Sequence, residues 1–152
     1  MTDDKKRIAI LGSTGSIGTQ ALDVIASHPD AFEVEVLTAQ NNVDLLIAQA
    51  KKFKPNAVVI SNEKYYAQLK DALQKEDIKV YAGENALSSV VQMDTIDLVL
   101  TALVGYAGLK PTLKAIESGK AIALANKETL VVAGELVTRM AREKGVNIYP
   151  ID

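Results

Sequence analysis

The chain has 152 residues, of which 48% are hydrophobic and 24% charged, with a formal net charge of −2 and no cysteine or tryptophan. That size fits one domain with a real core, and the apolar and charged content is globular rather than disordered. The slightly acidic balance argues against a nucleic-acid or anionic-membrane surface. The lack of cysteine excludes disulfides, thiolate metal sites and a cysteine nucleophile, and suits a reducing cytosol.

The polar start MTDDKKR shows no signal-peptide pattern, and the longest mostly apolar stretch, 98–109, is shorter than the about 20 residues of a membrane span. A cytoplasmic domain with no membrane partner is expected. The first element is the apolar run RIAIL (7–11), read as a strand. GSTGSIG (12–18) follows and leads into helical spacing over 16–27, with Ile17, Ala21, Val24 and Ile25 on one stripe. A strand at 33–38 precedes the capping-type pair Asn41-Asn42 and a helix over 44–53 with Leu45, Leu46, Ala48 and Ala50 on its apolar side. The alternation continues with a strand at 57–60, a helix at 63–74, a weaker strand at 79–83 and a helix at 84–92. It closes with strands at 97–101, 121–124 and 147–151, separated by helices at 109–117 and 127–144.

Pro111 falls in a first turn, where proline is tolerated, and Gly119 and Gly145 sit where helix C-caps belong. Several strands are apolar at consecutive positions, as strands covered on both faces are. Strand–helix alternation of this kind predicts an α/β fold: a Rossmann-like, doubly wound, mainly parallel sheet with helices on both faces. No linker or repeat divides it, so residues 1–152 read as one domain.

Glycine costs conformational entropy in regular structure, so three of them at a strand–helix junction need a reason. In the first strand–helix turn of such a sheet, the helix N-terminus presents unpaired N–H groups and the positive end of its dipole. Gly15, lacking a Cβ, lets a phosphate approach; Gly12 permits the tight turn; Gly18 lets the helix pack close against the sheet. Thr14 and Ser16 add hydroxyl donors. The spacing is G-x-x-G-x-x-G rather than G-x-G-x-x-G, so context carries the phosphate-binding reading against a plain Gly/Ser-rich connection.

An NAD site usually ends the second strand with an acid for the ribose 2′-hydroxyl. Here that tip reads LTAQNN (37–42) without one, and Glu35 lies too early. The missing carboxylate favours a 2′-phosphate, which Gln40, Asn41 and Asn42 can hydrogen-bond, although no arginine clamps it. The same asparagines also serve as helix caps.

Two further turns belong to the C-terminal edge of the sheet, where ligands of open α/β sheets bind. They are ALVGYAGLKPT (102–112) and ANKET (125–129). A helix N-terminus disfavours the Lys127 cation, and an anionic ligand would offset that cost. A solvated Lys127, with Glu128 as a first-turn acid and Asn126 as N-cap, is the alternative, and the residues leave both open.

LGSTGSIG, TALVGYAGLKPTLKAIESGKAIALANKETLV and the closing YPID together resemble the N-terminal, NADPH-binding part of the 1-deoxy-D-xylulose 5-phosphate reductoisomerases. The resemblance implies that Thr14, Gly15, Ser16 and Ile17 hold the pyrophosphate and nearby ribose of NADPH. It places Ala39, Gln40 and Asn41 at the adenosine 2′-phosphate, and Asn126 and Glu128 on the nicotinamide side. Lys127 would contact the sugar-phosphate substrate, and Asp152 would be one ligand of a divalent cation, Mg²⁺ or Mn²⁺.

The implied activity is isomerisation of 1-deoxy-D-xylulose 5-phosphate and its reduction to 2-C-methyl-D-erythritol 4-phosphate, a step of non-mevalonate isoprenoid biosynthesis, by a homodimeric enzyme. The family's remaining metal ligands, substrate-phosphate residues and lid lie after the position of Asp152. One carboxylate holds such a cation poorly. The chain therefore reads as the cofactor-binding portion of a longer enzyme, without the family's catalytic and C-terminal domains, and inactive alone.

Two other classes compete. A different NADP-dependent oxidoreductase would need a nucleophilic cysteine or a Tyr-x-x-x-Lys pair, a spacing that Tyr66 and Lys70 meet in an early, surface-like helix. A non-catalytic nucleotide-sensing module is the other. His28, before Pro29, reads as a helix end, Phe53, Tyr65 and Tyr66 as packing, and Asp71, Glu76 and Asp77 as a solvated face.

Overall fold

Apolar residues at consecutive positions put one side chain of each strand on either face of the sheet, so both faces need helices. The structure, a computed structural model, describes residues 5–103, 105–125 and 127–151, with the backbone alone described for 105, 106 and 127–133. Strands β1 (Lys6–Leu11), β2 (Phe32–Ala39), β3 (Ala57–Ile60), β4 (Lys79–Ala82), β5 (Leu98–Thr101), β6 (Ala121–Leu124) and β7 (Ile148–Pro150) form one sheet. Its order is β4-β3-β2-β1-β5-β6-β7, and every pairing is parallel. The chain builds outward from β1 to β4, then crosses back to β5 and builds the other way, so the winding reverses between β1 and β5.

Helices α1 (Ser16–Ser27), α2 (Val43–Phe53) and α3 (Tyr66–Ala72) lie on one face, where Leu22, Ile25, Leu46, Ala50 and Leu69 pack with Ile8, Ile10 and Val58. Helices α4 (Glu84–Val90), α5 (Leu109–Glu117) and α6 (Lys127–Lys144) lie on the other. There Leu87, Val90, Ala115, Ile116 and Val137 pack with Ala9, Leu11 and Val99.

The sequence-based elements all appear, with differences at their ends. The expected helix over 63–74 begins as a 3₁₀ turn, Glu63–Tyr65, capped by Asn62, whose side chain accepts from the Lys64 N–H. The weaker strand expected at 79–83 forms at the edge of the sheet as Lys79–Ala82, short and half-exposed as edges are. Helix α4 stops at Val90 rather than 92, and β7 is shorter than 147–151.

Glu35 departs from the plain strand reading. The β1–β2 register jumps from Ile8↔Val34 to Ala9↔Val36, which leaves Glu35 in a bulge. Its carboxylate accepts from Asn56 Nδ2 at 2.9 Å, and its carbonyl accepts the Asn56 N–H. Glu35 therefore belongs to the sheet's own hydrogen bonding. Among the described residues, no helix is long and apolar enough to cross a membrane.

Candidate functional site

The glycine loop stands at the carboxyl end of β1, at the reversal between β1 and β5, the place where open α/β sheets bind ligands. Gly12 has φ +88°, so only glycine takes the turn without strain. A Cβ there would also stand 3.2 Å from the Ala102 carbonyl oxygen after β5. The Gly12 N–H donates to Thr38 Oγ1 at 2.9 Å, and the Ser13 N–H to the Thr38 carbonyl at 2.8 Å. Both N–H groups are thus committed to β2, and what Gly12 contributes is the turn itself.

Beyond Ser13 the pattern changes. The N–H groups of residues 14–17 have no partner among the described residues, and α1 has neither a side-chain cap nor an acid in its first turn. A helix N-terminus in that condition carries partial positive charge and free donors. Gly15 is the N-cap, exposed, with ordinary extended backbone, and a Cβ on it would meet nothing nearer than the Gly12 carbonyl at 3.9 Å. The cradle is open on the side a phosphate would enter. Thr14 is half-buried and Ser16 exposed beside it, Ser16 Oγ accepting from Gln20 Nε2 at 3.4 Å.

Gly18 is needed for a reason other than sheet packing. A Cβ at that position would lie 2.2 Å from the Gly12 carbonyl oxygen and 2.6 Å from Ser13 Cα, so the loop folds back onto the helix's first turn. Ile17 lines an apolar groove of about 330 Å³ with Ala21, Val24, Leu100, Ala123 and Ile151.

The β2 tip is the second part. Ala39 is buried, and its carbonyl accepts the Ser61 N–H at 2.9 Å. Gln40 is exposed; its carbonyl accepts the Asn62 N–H at 3.0 Å, and Asn62 Nδ2 donates to Asn41 Oδ1 at 2.8 Å. With that oxygen engaged, Asn41 Nδ2 is the group left to donate to a ligand. Asn42 caps α2, its Oδ1 accepting the Leu45 N–H at 3.2 Å. A groove of about 340 Å³ runs from Gln40 and Ser61 past Ser88 and Leu103 to Ala107 and Lys110.

The sequence reading did not single out Ser13, Thr38, Gln49, Ser61, Asn62 or Lys110. For Gln49 a signal existed: it interrupts the apolar stripe of α2 between the buried Leu46 and Ala50. Lys127 and Glu128 open α6 at the carboxyl end of β6, but their side chains, like Asn126 and Asp152, lie outside the described residues. Among the described residues, no group of three or more His, Asp or Glu side chains could hold a metal ion.

The remaining candidates take structural places. His28 caps the C-terminus of α1, Nδ1 lying 2.9 Å from the Val24 carbonyl, at the opposite edge of the sheet. Tyr66 and Lys70 are neighbours on α3, with Nζ 5.7 Å from the ring centroid, beside the β3–β4 edge and away from the reversal.

A parallel, doubly wound sheet whose first strand runs through a glycine turn into an uncapped helix, beside the winding reversal, defines an α/β domain of Rossmann type. The sequence model of 1-deoxy-D-xylulose 5-phosphate reductoisomerase matches residues 8–134, and the chain belongs to that family. The 1-deoxy-D-xylulose 5-phosphate reductoisomerase of Bacteroides fragilis is 67% identical over 148 residues, covering 97% of this chain and 38% of that protein. The Zymomonas mobilis enzyme, solved in complex with NADPH, superposes with a TM-score of 0.93 at 41% identity, over 97% of this chain and 39% of that one. A reductoisomerase solved with NADPH, fosmidomycin and magnesium matches with a TM-score of 0.92 at 41% identity, over 97% and 36% of the two chains. The chain thus spans somewhat over a third of the length of these relatives.

Proposed function

We propose that this polypeptide is the NADPH-binding domain, residues 1–152, of a 1-deoxy-D-xylulose 5-phosphate reductoisomerase, the family's catalytic and C-terminal domains lying outside it. The whole enzyme would convert 1-deoxy-D-xylulose 5-phosphate to 2-C-methyl-D-erythritol 4-phosphate in isoprenoid biosynthesis, as a cytoplasmic homodimer. The observation that carries the reading is the run of N–H groups at 14–17 without a partner among the described residues, at an uncapped helix N-terminus, in front of a glycine whose missing Cβ leaves the approach open. The NADPH in related structures supports it.

In this reading Thr14, Gly15, Ser16 and Ile17 hold the pyrophosphate through main-chain donors, with the Thr14 and Ser16 hydroxyls beside them. Gly12 and Gly18 shape the turn. Ala39, Gln40 and Asn41 take the 2′-phosphate end, where Asn41 Nδ2 is the spare donor and no carboxylate repels the phosphate. Lys127 contacts the phosphorylated substrate, with Asn126 and Glu128 on the nicotinamide side. Bound NADPH supplies the hydride, and these residues bind and orient it.

Magnesium accompanies the cofactor in a relative. A divalent cation here would take Asp152 as one ligand and needs further oxygens from outside this chain. The 152-residue polypeptide is accordingly expected to bind NADPH without reductoisomerase turnover.

Titration with NADPH and, separately, NADH, followed by the dinucleotide's own fluorescence, tests this; the chain lacks tryptophan, so background is low. Saturable binding that prefers NADPH is expected. Binding of neither, or preference for NADH, overturns the cofactor assignment.

A further inference from the structure

The glycine loop is held from outside by the Thr38 hydroxyl at Gly12 and by the Gln49 amide at Ser13. Gln49, in the second turn of α2 and 7% exposed, clasps Ser13 with both ends of its amide. Its Nε2 donates to the Ser13 carbonyl at 2.9 Å, and its Oε1 accepts from Ser13 Oγ at 2.7 Å. Ser13 is fully buried, so its carbonyl and hydroxyl have no water to fall back on. The same hydroxyl lies 3.1 Å from the Thr38 carbonyl, which also accepts the Ser13 N–H. Ser13 is therefore tied to the end of β2 and to the body of α2. Residue 14, where the unpartnered N–H groups begin, comes next.

We propose that Gln49 is a positioning residue for the cofactor's pyrophosphate: it touches no part of the ligand but sets the loop whose N–H groups do. Three observations converge. The clasp is neutral, so it adds no charge to repel an anion a few residues away, which a buried glutamate in its place would do. It fixes the residue between the positive-φ turn at Gly12 and residue 14, where a small rotation redirects all the donors that follow. It also links the two ends of the binding site, because α2 is capped by Asn42, beside the 2′-phosphate tip, and carries Gln49 about 10 Å further along. A loop disengaged from α2 still lets the β2 tip meet a 2′-phosphate but no longer presents 14–17 as a set.

The inference rests on the NADPH reading above, and the experiment separates the two. Binding of NADPH and of adenosine 2′-monophosphate, which lacks the pyrophosphate, is measured on the unmodified polypeptide, on Gln49→Met and on Ser13→Ala, with the melting temperature of each. Met matches glutamine in length without either hydrogen bond. Expected for Gln49→Met is about a tenfold loss of NADPH affinity with adenosine 2′-monophosphate binding unchanged. Ser13→Ala removes only the hydroxyl bonds and keeps the Nε2–carbonyl bond, so about a threefold loss is expected.

Equal weakening of both ligands by Ser13→Ala would mean a general structural role and overturns the proposal, as does unchanged NADPH binding in Gln49→Met. If Gln49→Met does not fold, Ser13→Ala decides alone: a selective loss of NADPH supports the clasp, and an unchanged affinity defeats it. No NADPH binding by the unmodified polypeptide overturns the cofactor reading itself, and this inference with it.

Discussion

At the edge of the sheet where the strands begin, β1 is joined to β5 through charges at the surface. The Arg7 N–H and guanidinium Nε reach Asp97 Oδ2 at 2.9 and 3.4 Å, from side chains that are 39% and 36% exposed. At the edge where the strands end, β1 is joined to β2 and α2 through Thr38, Ser13 and Gln49, all neutral and all buried. An exposed ion pair contributes little and depends on pH and salt. A buried neutral network is costly to leave half-made, so it defines one geometry. The edge that carries the proposed cofactor site uses the neutral, buried means, and the opposite edge uses the charged one.

The comparison breaks most sharply at Gly18. Gly18→Ala forces a Cβ to 2.2 Å from the Gly12 carbonyl, backbone against backbone with no flexible side chain to yield. A loss of about 3 kcal/mol, or roughly 10 °C in melting temperature, is expected together with loss of NADPH binding. Calorimetry reads the first and fluorescence titration the second. A stable Gly18→Ala protein with intact binding would mean that the loop does not fold back on α1 in this way.

Gly15→Ala separates ligand approach from folding. Its backbone suits alanine, and a Cβ there meets only the Gly12 carbonyl, at 3.9 Å. Stability should change by no more than about 1 kcal/mol, the usual cost of an alanine N-cap. NADPH affinity should fall by about tenfold or more, because the new methyl occupies the phosphate's path. Matching losses of stability and affinity would remove the distinction between Gly15 and Gly18.

The smallest effect belongs to the other edge. Burial pushes the Asp97 carboxyl up, but the Arg7 main-chain and side-chain hydrogen bonds and the charges of Arg7 and Lys6 outweigh it and hold Asp97 below its ordinary value. A lowered value in the folded state means that the ionised form is favoured by folding. Its contribution is thus full above the ordinary carboxylate range and disappears as pH falls through the lowered value. Asp97→Asn should therefore reduce the melting temperature slightly at neutral pH and converge with the unmodified protein in acid. Because the pair is exposed, 1 M salt should shrink the difference. NADPH binding should not change, and a change would show that the two edges are not independent.

How much of this was legible without the structure depends on whether the cause was local. The strand–helix alternation, the turn at Gly12, the left-handed glycines just past α5 and α6, Gly119 and Gly145 with φ of +80° and +68°, and the N-cap at Asn42 could all be read from neighbouring residues, although the C-cap of α5 itself is Ser118. They rest on periodicity, on which residues tolerate positive φ, and on which side chains reach an N–H three residues on. The bulge at Glu35, the partner of Gly18 and the clasp on Ser13 could not. Glu35 leaves the strand register because of how β1 pairs with it across the sheet. Gly18 answers to a carbonyl that only the fold-back of the loop brings near.

The sequence by itself thus determined the kind of fold, the place of the glycine loop and its neutral, acid-free surroundings, because each follows from what a residue does within its own turn or strand. Tertiary structure alone decided what holds that loop in shape. Ser13 meets Thr38 and Gln49 across separations of 25 and 36 residues, and nothing local to any of the three specifies the other two. A hydrogen bond between distant residues exists only once β1, β2 and α2 have packed.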